Sequence, residues 1–191
     1  MRIIGGDFKG KKLASLRGSA TRPTADRVRE SIFNITASII QDTAVLDLFA
    51  GTGALGLEAL SRGAASAVFI DSEIPAVKII EKNIISCRVS DRARVIRWDI
   101  RRNLNCLSAA VPVFDLVFMD PPYHADLTTP ALKHLIKQGI LKNNAAVIVE
   151  HASTVPIIPG IAGLKLTDQR IYGKTGVSFF RAVINEDQNF I

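Results

Sequence analysis

The residues Asp120, Pro121, Pro122 and Tyr123 follow an apolar run and combine a carboxylate, a rigid turn and an aromatic ring. A strand must end here, because each proline lacks a backbone N–H and has a fixed φ. The Asp120 carboxylate and the Pro121 carbonyl can accept hydrogen bonds from an exocyclic amine, and a flipped or unpaired base can stack on the Tyr123 ring. These acceptors would orient the amine and stabilise the positive charge that develops as its nitrogen is alkylated. The motif therefore predicts group transfer to a base amine, the alternative being a rigid turn alone.

A glycine-rich stretch upstream is the second candidate for chemistry. Gly51, Gly53 and Gly56 satisfy the pattern G-x-G-x-x-G between a predicted strand and a predicted helix. Glycines let the backbone turn tightly and approach a ligand without a Cβ in the way. Asp71 ends the next predicted strand, where a carboxylate can accept hydrogen bonds from ribose hydroxyls. The pattern is compatible with a nicotinamide cofactor, with another nucleoside cofactor, or with a turn needed only for packing.

Two further carboxylates favour S-adenosylmethionine over a nicotinamide cofactor. Asp47 precedes the glycines within the strand, and a carboxylate there suits a cationic amino group but repels a pyrophosphate. S-adenosylmethionine carries an ammonium group and no phosphate. Asp99 ends the third predicted strand after Trp98, where it can accept a hydrogen bond from the amino group of adenine.

Alternating short apolar runs and helical stretches must position these residues. Predicted strands cover residues 44–50, 66–71, 93–99, 114–120 and 145–151, and predicted helices cover 54–62, 74–86 and 129–139. An earlier helix over 25–40, with Thr24 as its N-cap, places five apolar residues on one stripe: Val28, Ile32, Phe33, Ile35 and Ile39. Strands that are apolar on both faces indicate a parallel sheet between helix layers, and the last two strand-like runs form an antiparallel hairpin. The fold class is therefore α/β and doubly wound.

Composition limits the kind of protein. The chain has 191 residues, 48% of them hydrophobic, which is enough for one sizeable core. Cys87 and Cys106 form no C-x-x-C pair, and the three histidines show no ligand spacing, so we expect neither a disulfide framework nor a metal site. The N-terminus lacks the apolar region of a signal peptide, and no apolar stretch has the length of a membrane span. We expect a cytoplasmic protein without a membrane partner.

Positive charge is concentrated at the N-terminus. Residues 1–30 contain eight basic and three acidic residues, and so carry +5 of the formal net charge of +6. Residues 1–13 read as two short strands around a glycine-containing turn. We predict a basic hairpin arm over residues 1–23 and a catalytic domain over 24–191. The charge of the arm indicates either a solvated surface or binding to a phosphate backbone.

The sequences "DLFAGTG" and "DPPY" together resemble the class I S-adenosylmethionine-dependent methyltransferases that act on amino groups. This resemblance implies a seven-stranded, mostly parallel sheet with an antiparallel last strand. It also implies catalytic roles for Asp120, Pro121 and Tyr123. It places the following residues in the cofactor site: Asp47, Phe49, Gly51, Gly53, Asp71, Ser72 and Asp99.

Nearly the whole chain, including "RIIGGDFKGKKL", "TRPTADRVRESIFN" and "YGKTGVSFF", is similar to the bacterial 16S ribosomal RNA guanine-N2 methyltransferase family. The resemblance implies N2-methylation of a guanine in an assembled small ribosomal subunit, by an enzyme that we expect to be a monomer. It also implies that these residues contact RNA: Arg2, Lys9, Lys11, Lys12, Arg22, Arg27 and Arg29. Two alternatives remain, a DNA adenine-N6 methyltransferase and a non-catalytic RNA-binding assembly protein.

Overall fold

A computed structural model describes residues 1–15, 23–107, 113–122, 127–155 and 160–184, with residues 23–25 described by their backbone only. Its helices are α1 (Pro23–Ile35), a short 3-10 helix (Ala37–Ile39), α2 (Ala54–Ser61), α3 (Ile74–Cys87) and α4 (Thr128–Lys137). Its strands are β1 (Ala44–Leu48), β2 (Ser66–Asp71), β3 (Ala93–Arg97), β4 (Phe114–Met119), β5 (Leu141–Ala152), β6 (Leu164–Tyr172) and β7 (Thr175–Ala182).

The strands form one seven-stranded sheet in the order β3-β2-β1-β4-β5-β7-β6. The first five strands are parallel, and β7 lies antiparallel between β5 and β6. This confirms the predicted fold class. The strand order reverses between β1 and β4, and ligands of such sheets bind beyond the carboxyl ends of the strands at a reversal of this kind.

Alternating strand residues face two hydrophobic cores. In β4, Phe118 packs into the core beneath α1, α2 and α3, whereas Val117 and Met119 pack into the core beneath α4. Phe33 of α1 lies against Phe118, with ring centroids 5.3 Å apart. Burial on both faces explains why these strands read as continuous apolar runs rather than as alternating patterns.

The predicted first helix was wrong at both ends. It begins at Pro23, so Thr24 lies in its first turn and is not the N-cap. Proline suits the first turn of a helix because its missing N–H would have no partner there in any case. The α-helix ends at Ile35, which is 42% exposed and therefore leaves the predicted apolar stripe. The fifth strand was also predicted too short, since β5 already begins at Leu141.

The N-terminal segment, residues 1–15, packs onto the body of the protein. An antiparallel bridge joins Arg2 to Lys12, and the side chains of Ile3 and Leu13 are buried in the core beneath α1, α2 and α3. The carboxylate of Glu58, on α2, is completely buried and accepts hydrogen bonds from the backbone N–H groups of residues 4 and 5 at 2.7 and 2.8 Å. The predicted boundary between residues 23 and 24 falls inside α1, and the division into arm and domain stays a prediction.

Candidate active site

A cavity of 570 Å³ lies at the carboxyl ends of β1, β2, β3 and β4. Its volume is within the range typical of small-molecule sites. The structure brings seven of the predicted site residues to its wall: Phe49, Gly51, Asp71, Ser72, Asp99, Asp120 and Pro121. They come from four strand ends that are distant in sequence, and the parallel register of the sheet makes them neighbours.

The glycine loop is held to the end of β2 by the Asp71 carboxylate. One oxygen of Asp71 accepts a hydrogen bond from the Gly51 N–H at 2.8 Å, and the other accepts one from the Glu73 N–H at 2.9 Å. Gly51 has a φ of +57°, in the left-handed region that favours glycine, and an added Cβ would meet only the Phe49 carbonyl oxygen within 4 Å. Phe49 itself has a φ of +58°, a strained value of the kind that clusters at ligand sites.

Asp47 lies behind the loop, and it is not among the described residues that line the cavity. Its side chain accepts a hydrogen bond from the Gly56 N–H at 2.9 Å and is 2% exposed. Burial raises the pKa of Asp47 to about 8, and the Gly56 hydrogen bond opposes that rise. Gly56 must be small, because an added Cβ would lie 2.4 Å from the Phe69 ring. The Asp47 carboxyl thus ties the first turn of α2 to β1.

The loop is also connected to the N-terminal segment through a residue that the sequence did not indicate. Asn83, on α3, is 1% exposed and donates hydrogen bonds to the Thr52 carbonyl at 2.9 Å and the Ala14 carbonyl at 3.1 Å. Its side-chain oxygen accepts a hydrogen bond from the Ala14 N–H at 2.8 Å. A buried side-chain amide that satisfies backbone groups on two segments holds both in a single arrangement.

Asp99 and Trp98 form the wall of the cavity after β3. Hydrogen bonds from Arg101 at 2.8 and 2.9 Å are the main reason that the pKa of Asp99 is lowered, so this carboxylate stays ionised. The Trp98 indole N–H donates to the Asn103 carbonyl at 3.0 Å. The wall therefore offers a fixed aromatic ring beside an anionic oxygen.

Asp120 is exposed toward the cavity at the end of β4, and Pro121 beside it is buried. The Asp120 N–H donates to the Leu48 carbonyl of β1 at 3.4 Å. This hydrogen bond places the turn after β4 beside the end of β1, where the strand order reverses. Protein on its other sides desolvates the Asp120 carboxyl and raises its pKa to about 6. At neutral pH most of it is ionised and can only accept hydrogen bonds. Tyr123 lies outside the described residues.

Glu150 is an acidic neighbour of Asp120 that the sequence prediction missed. Met119 pairs with Val149 in the parallel β4–β5 register, so Glu150 lies beside Asp120 at the next position. Burial raises the pKa of Glu150 to about 8, the negative charges of Asp120 and Asp47 add to the rise, and Arg29 opposes it. A signal was present, because an acid, Glu150, lies near the end of the run "AAVIVEH", as acids do at the ends of the other strands at this edge.

The predicted RNA-binding residues fall into two groups. The side chains of Arg2, Lys9, Lys11, Lys12 and Arg27 are exposed, and Arg22 lies outside the described residues. Arg29 is 4% exposed, and its guanidinium donates to the Arg2 carbonyl and to the Asp26 carboxylate. This corrects the prediction that Arg29 contacts RNA, because a guanidinium enclosed by its own protein presents no surface to a nucleic acid. Burial also lowers the pKa of Arg29.

Across the residues that the structure describes, no cluster of three or more His, Cys, Asp or Glu side chains is placed to hold a metal ion. Nor does any helix in the described part combine the length and apolar character needed to cross a membrane.

Comparison with known proteins gives matches over almost the whole chain. A family model described as "Conserved hypothetical protein 95" matches residues 1–181. Ribosomal RNA small subunit methyltransferase D of Haemophilus influenzae is 38% identical over 161 residues, covering 83% of this chain and 82% of the relative. The Escherichia coli K12 protein of the same name is 34% identical over 183 residues, covering 95% and 89%. A solved structure from Escherichia coli superposes with a TM-score of 0.82 at 34% identity and covers 96% of this chain and 98% of that one.

Proposed function

The chain belongs to the family described as Conserved hypothetical protein 95, and on this premise we propose that it methylates the N2 amine of a guanine in 16S ribosomal RNA, with S-adenosylmethionine as methyl donor. The names of the relatives support ribosomal RNA of the small subunit as the substrate class. The choice of guanine N2 and of the assembled subunit comes from the resemblance described above.

One observation carries the proposal: Asp120 and Pro121 share a cavity wall with the glycine loop and with Asp71 and Asp99. An acceptor pair for an amine therefore faces the same space as a nucleoside-type cofactor site. Neither half alone is specific, since rigid turns and glycine loops occur in many proteins. Their convergence on one cavity is what the transfer reaction requires.

The residues present fit S-adenosylmethionine better than a dinucleotide. The carboxylates of Asp71 and Asp99 suit ribose hydroxyls and an adenine amino group, and the further negative charge of Asp120 in the same cavity disfavours a pyrophosphate. The Phe49 and Trp98 side chains offer apolar surface, and the space in front of Gly51 is open. When bound, S-adenosylmethionine supplies a methyl group on a positively charged sulfur. Asp47 fixes the loop that would hold the methionine part.

The role of Asp120 follows from its charge and position. Its ionised carboxylate accepts an N–H of the guanine amine, and the Pro121 carbonyl accepts the other. This draws the nitrogen toward a tetrahedral geometry with its lone pair directed into the cavity. The positive charge that develops on nitrogen lies beside the Asp120 carboxylate, and the amine proton becomes acidic as the bond to carbon forms. Water or a neighbouring carboxylate can then take the proton, so no strong base is needed.

The test is transfer of a labelled methyl group from S-adenosylmethionine to three acceptors in parallel. These are undermethylated small ribosomal subunits, their RNA stripped of protein, and unmodified duplex DNA. Label on the subunits that is recovered as N2-methylguanosine is the expected result. Label on DNA adenine would overturn the substrate and keep the chemistry. Cofactor binding without transfer to any acceptor would favour a non-catalytic assembly protein.

A further inference from the structure

A second concave surface lies at the opposite edge of the sheet from the candidate active site. It is a cavity of 490 Å³ between the N-terminal segment, the end of α3 and the turn that leads into β3. Among the described residues that line it are four basic side chains and one acidic side chain: Lys9, Lys11, Arg88 and Arg92, and Asp7. We refer to it as the basic cavity.

The positive charges of the basic cavity are not neutralised within the described parts of the chain. None of its four basic side chains takes part in an ion pair there. Lys9, Lys11 and Arg88 are exposed, and Arg92 donates one hydrogen bond to the Ala64 carbonyl at 3.3 Å. Like charges that converge on one hollow repel one another, so an anion placed between them is favoured.

The folded chain fixes the backbone that carries these side chains. The turn that carries Lys9 and Lys11 is tied to the end of α2, because Ser61 accepts hydrogen bonds from the N–H groups of Asp7 at 2.8 Å and Phe8 at 2.9 Å. Arg88 is the C-cap of α3, with a φ of +58° and backbone hydrogen bonds to the last turn. The basic residues of this cavity therefore lie on a turn and a helix end whose backbones are fixed relative to each other.

The distance from the active site follows from α3. This helix begins three residues after Asp71, which lines the active-site cavity, and it ends at Cys87, which lines the basic cavity. Its 14 residues correspond to a length of about 21 Å. A single nucleotide in the active site cannot reach that far, whereas a folded RNA can.

We propose that the basic cavity binds backbone phosphates of the RNA substrate at a point remote from the target base, with Arg88 and Arg92 as contacts beyond the N-terminal segment. The inference rests on the proposed function and adds a second anchoring point to it. Phosphate contacts at one edge of the sheet and a base at the other require an RNA long enough to span about 21 Å. The basic cavity therefore favours a long or folded ribosomal RNA over a mononucleotide or a very short strand.

Salt-dependent binding tests the proposal directly. The probe is a fluorescent 16S ribosomal RNA transcript, and affinity is measured at several salt concentrations. Each lost phosphate contact reduces the slope of log affinity against log salt by about 1. The double variant Arg88→Gln/Arg92→Gln is expected to lower the slope by about 2, with cofactor affinity unchanged. The matched control, Lys133→Gln/Lys165→Gln, removes two exposed charges on α4 and β6 and is expected to keep the wild-type slope.

A second variant keeps the test valid if the loss of the Arg92 hydrogen bond disturbs folding. Arg88→Gln alone changes an exposed side chain and is expected to lower the slope by about 1, at an unchanged melting temperature.

An unchanged slope in both variants would overturn the proposal, as would an equal loss in the control. Equal losses with duplex DNA of the same length would overturn the assignment to RNA. If wild-type protein methylates ribosomal RNA while these slopes stay unchanged, only the basic cavity is refuted. Failure of wild-type protein to methylate any RNA refutes the proposed function instead.

Discussion

The two edges of the sheet carry opposite charge and are built in different ways. At the carboxyl edge, Asp47 and Asp71 accept hydrogen bonds from backbone N–H groups, and Asp99 is paired with Arg101. At the other edge, Lys9 and Arg88 are exposed, and neither forms an ion pair within the described residues. The acids of the carboxyl edge form hydrogen bonds and ion pairs within the protein, whereas the basic side chains of the other edge are exposed to a ligand.

This difference matches what each edge is proposed to bind. A methyl transfer needs reacting atoms held within a fraction of an ångström, and the acids at this edge are fixed by hydrogen bonds from neighbouring loops, from α2 and from Arg101. A phosphate backbone is attracted mainly by charge, which tolerates flexible side chains and acts over several ångströms. Asn83 and Glu58 join the two regions, because both hold the N-terminal segment against helices that flank the glycine loop.

The largest expected effect comes from Glu58, the buried acid that holds the N-terminal segment. Its carboxylate accepts from Arg62 at 2.8 Å and from two backbone N–H groups. Glu58→Gln leaves Arg29 and Arg62 without their buried counter-charge, and is expected to lower the free energy of unfolding by about 3–5 kcal/mol. Urea denaturation measures this, with the exposed Glu30→Gln on α1 as control. A loss below about 1 kcal/mol would show that the segment does not depend on this acid.

Asp120 tests the carboxyl edge. Asp120→Ala removes the main acceptor for the amine and is expected to lower kcat by about 10²–10³-fold, with cofactor affinity nearly unchanged. Asp115→Asn, near the other end of β4, is the control, because it changes an acid on the same strand far from the cavity. Steady-state kinetics and calorimetric titration with S-adenosylmethionine provide the measurements. Loss of cofactor binding in Asp120→Ala would contradict the separation of roles.

Gly56 tests how closely α2 must approach the sheet. Gly56→Ala forces a Cβ against Phe69 and is expected to cost about 1–3 kcal/mol of unfolding free energy. Gly51→Ala serves for comparison, because its Cβ has open space and its cost of roughly 1–2 kcal/mol comes only from the left-handed φ. The added change Phe69→Leu should recover part of the loss in Gly56→Ala and none of the loss in Gly51→Ala. Equal recovery in both, measured by urea denaturation, would refute the steric explanation.

Glu150 gives an effect whose size depends on pH. Its pKa is raised by folding from 4.5 to about 8, so the folded state binds the proton more tightly than the unfolded state. Stability from this group is present at low pH and is lost as pH rises from about 4.5 to 8. Glu150→Gln should therefore become progressively more stable relative to wild type as the pH rises from 5 to 9. Melting curves measure the gain, with the exposed Glu81→Gln as control, and a constant difference across this range would contradict it.

The core of the fold was readable from the chain because its pattern is local. Apolar runs such as 66–71 and 114–119 became β2 and β4, and the intervening helices fell within a few residues of their predicted positions. The first helix was less predictable at its ends, because Pro23 and Thr24 are both acceptable residues for a helix start and only the complete backbone distinguishes them. The convergence of Asp71, Asp99 and Asp120 also followed from the sequence, since parallel strands bring their carboxyl ends to one edge.

Burial and charge pairing depend on contacts between distant segments, and no local pattern reveals them. In the sequence, nothing distinguishes Arg29 from the exposed Arg27 two residues earlier. Only packing against the N-terminal segment buries the Arg29 side chain. Glu150 became a neighbour of Asp120 through the β4–β5 register, and Arg88 joined Lys9 through the docking of a turn onto α2 and α3. The residue types and their order on the strands are local properties of the chain. The shift in a pKa and the sharing of a cavity are set by which groups lie around each charge in the folded protein.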